Sequence, residues 1–469
     1  MSDNQPLEIV IVGLGVAGLY ASKSALSFNR KCHTTLIERR DFDQFSPCGL
    51  PYVIEGFVKD FEELKYTVPE IRNKLTKLLH RVVVSVDKEK KIVKALDLKT
   101  SEEKEISYDS LILATGASPI NLPIPGAREL VGKGVHFVSD IENSRALLAA
   151  AESSKHRRAV VVGGGATGLE VAVGLRALGF DVAVTKRTPP PFPRNLDPEM
   201  GRIIVEHLEK LGIRVLFGKG IDRINGAEKV ESVEIAGQAI ECDIVVMAVG
   251  MRGNARLAEM VGAKTEEGSV VVDNRMETSV KGVYACGDLV QTYSRIDGTP
   301  TTMQLATAAY RQGMVAGTNA AGGNTVYPGA LNTFLTVIGG LEVASTGYSL
   351  ETARNLGYDA EAISTKGEIK PHYIPGGKEM NLRVIVDSKD GKILGAQAVG
   401  EEGAGWRVNI FGLAIHGGMT LYDLMDAELS YSPPVSQMYD PISQLAEVGI
   451  KRLGFPPREC LRVFLPKKK

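Results

Sequence analysis

Two copies of a strand–glycine turn–helix pattern constrain the possible folds of this chain more than any other feature. In the first copy, the apolar run 8–12 leads into Gly13, Gly15 and Gly18, and the helical pattern 19–28 follows. The first glycine permits a tight turn, the second lets the backbone approach a pyrophosphate at a helix N-terminus, and the third lets the helix pack on the strand. The pattern predicts a βαβ unit that binds a dinucleotide.

Polar residues at other strand ends extend this first predicted site. The strand 34–37 ends at Glu38, where a carboxylate can accept hydrogen bonds from a ribose 2′-hydroxyl. Asp288 ends another apolar strand and can bond a ribityl hydroxyl, although it could instead cap a helix predicted near 305–316. Since the ends of parallel strands meet at one edge of a sheet, we expect one flavin dinucleotide to contact the following residues: Gly13, Gly15, Gly18, Glu38, Arg39, Thr115, Gly116, Gly287 and Asp288.

The second copy lies in the middle of the chain. The run 159–162 leads into another glycine turn, a helix to residue 178 and a strand 181–185. Two such units in one polypeptide suggest two cofactors that exchange electrons, since a single-cofactor dehydrogenase needs only one. We expect this unit to bind a nicotinamide dinucleotide through Gly163, Gly165, Gly168, Glu170, Lys186 and Arg187.

The end of this second unit bears on the choice of nicotinamide dinucleotide. Lys186 and Arg187 stand at the strand end, where NAD-binding units have an acidic residue for the ribose. Cations at this point suit a 2′-phosphate, so the sequence favours NADPH over NADH. The alternative is that both residues are solvated loop charges that tolerate either coenzyme.

Charge and composition exclude several classes of partner. Lys and Arg (55) nearly balance Asp and Glu (56), so the sequence indicates neither nucleic acid nor an anionic membrane as a partner. The balanced charge favours a small substrate instead. No apolar run approaches the roughly 20 residues of a membrane span, and the first residues lack a signal-peptide pattern, which favours a cytoplasmic location. The five scattered cysteines form neither a disulfide framework nor a CxxC zinc site, so we expect no metal centre.

Cys48 is the candidate for cysteine chemistry. It lies in the segment 46–52, which should pass over a cofactor at the strand ends. Pro51 favours a helix start here, and a thiol in a first helical turn is expected to have a lowered pKa because the macrodipole stabilises the thiolate. The alternative is an inert buried thiol, which is the role we predict for Cys286.

These motifs together resemble the pyridine nucleotide-disulfide oxidoreductases, and within them the single-cysteine branch of coenzyme A disulfide reductases, NADH oxidases and peroxidases. The resemblance covers essentially the whole chain, and it implies FAD beside Cys48 with NADPH or NADH as hydride donor. Paired-cysteine members have a CxxxxC motif, but Val53 occupies the second position here, so the sulfur partner of Cys48 is implied to be a substrate. Oxidase and peroxidase members place a histidine inside the first glycine turn, where this chain has Val16.

The resemblance also implies a homodimer with a shared site. The segments 370–377 and 429–434 are similar to C-terminal segments from which two tyrosines reach the cysteine of the partner subunit, and they carry Tyr373 and Tyr431. These phenols could donate hydrogen bonds to a leaving thiolate, or they could serve only as aromatic packing. Basic side chains that members binding coenzyme A often carry are replaced here by Ser24, Ser27 and Gln44.

The sequence therefore predicts an α/β chain with two Rossmann-like dinucleotide-binding domains and a C-terminal α+β dimerisation domain. The expected boundaries are 1–119 with 253–330 for FAD, 120–252 for NAD(P)H, 331–452 for dimerisation and 453–469 for a tail. The implied function is reduction of a low-molecular-weight disulfide, persulfide or polysulfide, with coenzyme A derivatives among the candidates. An NAD(P)H oxidase and a non-enzymatic flavin-binding redox sensor are the alternatives.

Overall fold

The computed structural model describes residues 6–456, which divide into two compact units. The first unit comprises the residues up to Thr188 together with Gly212–Ala330. The second comprises Pro189–Leu211 together with the residues from Leu331 onward. Both glycine turns lie in the first unit. Of the predicted tail 453–469, the residues from 457 onward, including Cys460, lie outside the described residues.

A five-stranded parallel sheet forms around the first glycine turn. Its strands are apolar and largely buried, as expected when helices cover both faces of a parallel sheet. The helices Val16–Phe28 and Ala306–Ala320 pack so closely that a Cβ added at Gly313 would lie 2.2 Å from the carbonyl oxygen of Ala17. In spatial order the strands are Val283–Ala285, Ser110–Leu113, Leu7–Val12, Cys32–Ile37 and Leu75–Leu78.

A second five-stranded parallel sheet forms around the second glycine turn. The helices Ile141–Ser153 and Ala166–Ala177 belong to this part of the unit. In each parallel sheet the glycine turn follows the central strand, so both turns lie at the carboxyl edge where dinucleotides bind. The strands are, in spatial order, Val135–His136, Ile244–Met247, Arg158–Val162, Asp181–Lys186 and Arg214–Phe217.

Smaller sheets and short helices complete the first unit. The two three-stranded antiparallel sheets are Arg81–Asp87 with Ile92–Asp97 and Glu103–Ser107, and Ile221–Asn225 with Ser232–Ile235 and Gln238–Glu241. A four-stranded sheet contains Thr265–Glu266, Ser269–Val271, Val290–Tyr293 and Pro300–Thr302. In two further two-stranded sheets, Gln44–Phe45 pairs with Lys65–Tyr66, and Ala117–Pro119 pairs with Met251–Gly253. The short helices are Leu50–Ile54 and Arg256–Met260, with 3₁₀ turns at Pro47–Gly49 and Phe61–Leu64. No helix within residues 6–456 combines the length and the apolar character needed to cross a membrane.

The second unit is built on a five-stranded antiparallel sheet. In spatial order its strands are Phe334–Ile338, Leu341–Gly347, Ile393–Gly400, Glu379–Asp387 and Ala360–Glu368. Its helices after residue 331 are Leu350–Asn355, Ala404–His416, Leu421–Met425 and Pro441–Arg452. Two parallel-sheet folds followed by this α+β unit confirm the predicted fold class.

The helix Pro198–Lys210 also belongs to the second unit, although in sequence it lies between two strands of the second parallel sheet. Asp197, at its N-cap, is buried, and its carboxylate accepts hydrogen bonds from Arg383 Nε (2.6 Å) and the Leu350 N–H (2.9 Å). The Asp197 N–H donates to the side-chain oxygen of Gln397 (2.9 Å). This buried network fixes the segment Pro189–Leu211 to the antiparallel sheet of the second unit. In sequence, this segment lies within the range 120–252 that was predicted to bind NAD(P)H.

Candidate active site

The first glycine turn has the geometry of a dinucleotide cradle. A Cβ added at Gly13, where φ is +108°, would lie 2.2 Å from the Ala114 carbonyl oxygen. A Cβ at Gly18 would lie 1.9 Å from the Gly13 carbonyl oxygen, so neither position has room for a side chain. A Cβ at Gly15 would meet no atom within 4 Å. The space above Gly15 is therefore open for a pyrophosphate, while the flanking glycines allow strand and helix to meet.

The second glycine turn repeats this geometry. A Cβ at Gly163 (φ +136°) would lie 2.0 Å from the Ala248 carbonyl oxygen, and one at Gly168 would lie 2.5 Å from the Gly163 carbonyl oxygen. A Cβ at Gly165 would again meet nothing within 4 Å. The first unit thus contains two cradles of matching shape, each able to receive one dinucleotide.

A cleft of about 1210 Å³ opens above the first cradle. Small-molecule sites are typically about 300–1,000 Å³, so this volume suits an extended ligand such as a dinucleotide. The predicted flavin contacts that lie on its wall are Gly13, Gly15, Glu38, Arg39, Thr115, Gly116 and Asp288. Gly18 and Gly287 instead lie in the packed layer behind the wall.

Glu38 is buried at the strand end and is already engaged by its neighbours. Its carboxylate accepts hydrogen bonds from the Leu14 N–H (2.8 Å) and from Nε (3.0 Å) and Nη2 (2.8 Å) of Arg40. Burial by itself would raise the pKa of Glu38, but the hydrogen bonds and charge of Arg40 lower it below its ordinary value. Glu38 is therefore a carboxylate at neutral pH. Arg40, which the sequence interpretation missed, also lies on the cleft wall.

Asp288 also projects a carboxylate into the cleft. Among residues 6–456, none donates a hydrogen bond to this carboxylate, and burial raises its pKa to about 6. The alternative role as a helix cap is wrong, because Leu305 occupies the N-cap of the helix Ala306–Ala320. A half-buried carboxylate that lacks a protein donor within the described residues fits a hydroxyl-bearing ligand, as the flavin prediction requires.

Side-chain amides support two further turns of the predicted flavin site, at Thr115 and at Gly287. The Thr115 hydroxyl donates to the Asn254 carbonyl oxygen (2.8 Å), and Asn254 Nδ2 donates back to the Thr115 carbonyl oxygen (2.9 Å). Gln312, buried in the helix Ala306–Ala320, accepts a hydrogen bond from the Gly287 N–H (2.8 Å). Neither Asn254 nor Gln312 carried a sequence signal, since each is an isolated amide outside any motif.

Cys48 lies in the 3₁₀ turn Pro47–Gly49, immediately before the helix Leu50–Ile54. The residue is exposed on one side, while protein surrounds its sulfur on the other. This partial burial raises the pKa of the Cys48 thiol, and the negative charges of Glu170 and Asp288 raise it further. The expectation of a lowered pKa is therefore wrong for the protein itself. The five-residue helix Leu50–Ile54 stabilises the thiolate too little to offset desolvation of the sulfur and the repulsion from two carboxylates.

Glu170 follows the second glycine turn and acts electrostatically on Cys48, within the same unit. It lies on the helix Ala166–Ala177 that follows the second glycine turn, and its charge raises the pKa of both Cys48 and Tyr52 after the larger effect of burial. The same helix packs against the helix Leu50–Ile54, because Gly174 leaves space for the backbone of Glu55. A residue predicted for the nicotinamide site thus lies close enough to act on the candidate redox sulfur.

Lys186 and Arg187 lie at the end of their strand, as the sequence pattern predicts. Lys186 Nζ donates to the Thr188 hydroxyl (2.8 Å) and to its carbonyl oxygen, and burial lowers the pKa of Lys186. The aliphatic part of the Lys186 side chain lies over Gly164 in the second glycine turn, since a Cβ added at Gly164 would be 2.9 Å from Lys186 Cδ. Lys186 therefore stands beside the second cradle.

Tyr373 and Tyr431 meet in the second unit. Their hydroxyl oxygens are 3.4 Å apart, and both side chains are exposed, at 60% and 44%. The hydrogen bond with Tyr373 raises the pKa of Tyr431, so Tyr431 is a protonated phenol at neutral pH. Two residues that are distant in sequence thus form one exposed pair of hydrogen-bond donors.

Comparison with known proteins agrees with this arrangement. Residues 7–313 match the family model described as Pyridine nucleotide-disulphide oxidoreductase, and residues 333–441 match that of its dimerisation domain. The chain is 37% identical over 451 residues to a protein named NADH oxidase from Methanocaldococcus jannaschii, covering 96% of this chain and 100% of that protein. It is 33% identical over 445 residues to the NAD(P)H sulfur oxidoreductase (CoA-dependent) of Pyrococcus furiosus, covering 94% and 98%.

A solved structure is similar over nearly the whole chain. The NAD-dependent persulfide reductase from A. fulgidus superposes with a TM-score of 0.90 at 30% identity, covering 96% of this chain and 84% of that one. The resemblance found in the sequence is thereby confirmed. Cradle geometry, domain order and similarity agree, and the chain belongs to the pyridine nucleotide-disulphide oxidoreductase family.

Proposed function

We propose that this chain reduces a low-molecular-weight disulfide, persulfide or polysulfide with electrons from NAD(P)H, and that Cys48 is its redox centre. Family membership makes the chain an FAD-dependent NAD(P)H oxidoreductase. The observation that carries the proposal is the accessibility of Cys48, which follows the cleft-wall residue Pro47 and is exposed. The other cysteines within residues 6–456 are buried, namely Cys32, Cys242 and Cys286.

The absence of a nearby thiol partner defines the kind of substrate. Val53, at the second position of a CxxxxC pair, is buried in the helix Leu50–Ile54. Burial raises the pKa of Cys242 and of Cys286 to about 12, so both remain unreactive thiols at neutral pH. Among residues 6–456 the other cysteines are free, buried thiols, which supports the proposal that the second sulfur comes from the substrate.

The proposed chemistry is thiol–disulfide exchange followed by reduction. The Cys48 thiolate attacks one sulfur of the substrate disulfide, a new S–S bond forms between Cys48 and that half, and the other half leaves as a thiolate that takes a proton. FAD, when bound, supplies the electron pair of NAD(P)H that cleaves this mixed disulfide. Cys48 returns to the thiolate and the second substrate thiol departs, so one NAD(P)H reduces one disulfide to two thiols.

The tyrosine pair completes the proposed site by assisting the leaving group. Tyr431, protonated at neutral pH, can donate to a departing thiolate, and Tyr373 lies beside it. We propose that these phenols serve the Cys48 of a partner subunit in a homodimer. Exposed apolar side chains of the dimerisation domain support this assembly: Leu335, Val337, Trp406 and Leu413.

We also propose that coenzyme A derivatives are among the substrates and that NADPH is the preferred donor. The first proposal is supported by the name of the Pyrococcus furiosus relative, and the second by Lys186, which lies beside the second cradle, with Arg187 next to it in the chain. Steady-state kinetics with both coenzymes test the second proposal. A lower KM for NADH than for NADPH would contradict it.

Anaerobic titration of the purified protein with NADPH tests the central proposal, at a pH above 9.0 because the raised pKa of Cys48 limits the thiolate below it. We expect a long-wavelength thiolate-to-flavin charge-transfer band in the wild type and in the control Cys32→Ala, and its loss in Cys48→Ser. Coenzyme A disulfide or polysulfide should then reoxidise the wild type and abolish the band. Reduction without the band, followed by reoxidation with oxygen alone, would exclude Cys48 as the redox centre.

An NAD(P)H oxidase is the second candidate, because the Methanocaldococcus jannaschii relative carries that name. Val16, at the start of the first helix, offers no acid–base group where oxidase and peroxidase members place a histidine. Oxygen uptake separates the two functions. We expect uptake to be slow relative to disulfide reduction and unaffected by Cys48→Ser.

A further inference from the structure

The Tyr373–Tyr431 pair joins two segments that lack regular secondary structure. Tyr373 lies in the connection between the adjacent antiparallel strands Ala360–Glu368 and Glu379–Asp387. Tyr431 lies in the irregular segment 427–440 that precedes the helix Pro441–Arg452. Neither helix nor sheet geometry sets the distance between the two hydroxyls, so side-chain contacts between the segments must do so.

Gln437 provides such a contact. Its Nε2 donates to the carbonyl oxygen of Lys370 (2.6 Å) and lies 3.4 Å from that of Glu368. Both oxygens belong to the base of the connection that carries Tyr373. A carbonyl oxygen only accepts hydrogen bonds, so the NH₂ end of the amide must face this connection. The half-buried Gln437 side chain thus has one orientation that satisfies both carbonyls.

The short path from Gln437 to Tyr431 is also held by hydrogen bonds. The buried Ser436 donates from its N–H to the Ser432 carbonyl oxygen (2.9 Å) and from its hydroxyl to that of Ser430 (3.3 Å). These bonds close the backbone on either side of Tyr431 into a compact turn. A restraint at Gln437 therefore reaches Tyr431 through a fixed stretch of chain.

We propose that Gln437 is a positioning residue, which holds the Tyr431 hydroxyl against that of Tyr373 by tying the two segments together. The pair then presents two phenols at a defined separation to the leaving thiolate. The catalytic part of this proposal rests on the proposed function, whereas the placement of the two hydroxyls does not.

The variants Gln437→Leu, Tyr431→Phe and the double variant test this role. Leucine keeps similar bulk but removes the donor to Lys370. We expect kcat for disulfide reduction to fall about fivefold in Gln437→Leu, the effect of losing roughly one hydrogen bond, with KM unchanged. The double variant should be no slower than Tyr431→Phe, because Gln437 acts through the contact between the two hydroxyls, which Tyr431→Phe already removes.

Tyrosine ionisation gives a second readout that does not depend on activity. Ultraviolet titration of proteins with and without Tyr431→Phe isolates the Tyr431 phenol. In Gln437→Leu its pKa should move back toward that of an ordinary tyrosine, since the contact with Tyr373 is lost. The titratable groups around the connection are present in every variant: His372, Lys370 with Glu402, and Lys378 with Glu401.

Gln444→Leu is a matched control, because Gln444 Nε2 also donates to a backbone carbonyl oxygen, that of Tyr439 (2.7 Å), but not to the Tyr373 segment. It should match the wild type in both readouts. An unchanged Tyr431 ionisation in Gln437→Leu, or additive losses in the double variant, would overturn the positioning role. Full activity of Tyr431→Phe would refute the catalytic role of the pair, while the ionisation result would still decide the placement.

Discussion

The substitutions Gly15→Ala and Gly165→Ala probe the two dinucleotide cradles separately. Each glycine has an ordinary backbone conformation, with φ of −83° at Gly15 and −93° at Gly165, that alanine adopts without strain. A Cβ at either position would meet no atom within 4 Å. We therefore expect both variants to fold normally, and any defect to arise only when a dinucleotide approaches the turn.

The size of that defect follows from what the methyl group displaces. A pyrophosphate in the cradle accepts charge-assisted hydrogen bonds from N–H groups at the helix N-terminus, and a Cβ above the turn holds it away. Losing one such bond costs about 1.5–3 kcal/mol. The dissociation constant should therefore rise about 10- to 150-fold. Gly15→Ala should weaken FAD, whereas Gly165→Ala should weaken NAD(P)H and leave FAD bound.

Fluorescence titration of the apoprotein with FAD and the KM for NADPH measure the two effects. Gly18→Ala serves as the contrasting variant, because its Cβ would lie 1.9 Å from the Gly13 carbonyl oxygen and should destabilise the fold itself. Wild-type FAD affinity in Gly15→Ala would refute the cradle assignment. Loss of FAD in Gly165→Ala would show that the two cradles do not act separately.

Two further predictions concern charge. Glu170→Gln removes a negative charge that raises the pKa of Cys48, so alkylation of Cys48 by iodoacetamide at pH 7 should be faster than in the wild type. In the wild type, the alkylation rate should continue to rise above pH 9.0, the ordinary pKa of a thiol. Equal rates at pH 7 would contradict the electrostatic effect of Glu170 on the Cys48 sulfur. The fully buried Arg407 contacts the Asp440 carboxylate through Nη2 at 2.6 Å. Asp440→Asn removes this carboxylate partner and should lower the free energy of unfolding, measured by urea titration, by about 3–5 kcal/mol. A loss below 1 kcal/mol would show that the pair contributes little.

The sequence was most informative where the chemistry is local. Each glycine turn is specified by residues within one βαβ unit, so the predicted strand 8–12 corresponds to Leu7–Val12 and the predicted helix 19–28 to the longer Val16–Phe28. The early start of that helix was missed because glycine has a low helix propensity, while the turn itself requires the helix to begin at Val16. Parallel-sheet strands are continuous apolar runs, which the sequence displays directly.

The sequence was least informative where distant residues meet. The pKa of Cys48 depends on Glu170 and Asp288, which lie on other elements, and a local helix argument gave the wrong direction. Arg40 carried one weak signal, a cation two residues beyond Glu38. Asn254 carried none, because its role depends on a turn at Thr115 that is formed by another part of the chain.

The position of Asp197 has a consequence for synthesis on the ribosome. Its partner Arg383 follows 186 residues later, so at about 5–20 residues per second the helix Pro198–Lys210 emerges roughly 10–40 s before the strand that carries this arginine. During that interval Asp197, which is buried in the folded protein, lacks the arginine that binds it there. A nascent chain released before Arg383 would contain this helix but lack both Arg383 and the strand Ile393–Gly400, whose Gln397 also bonds to Asp197.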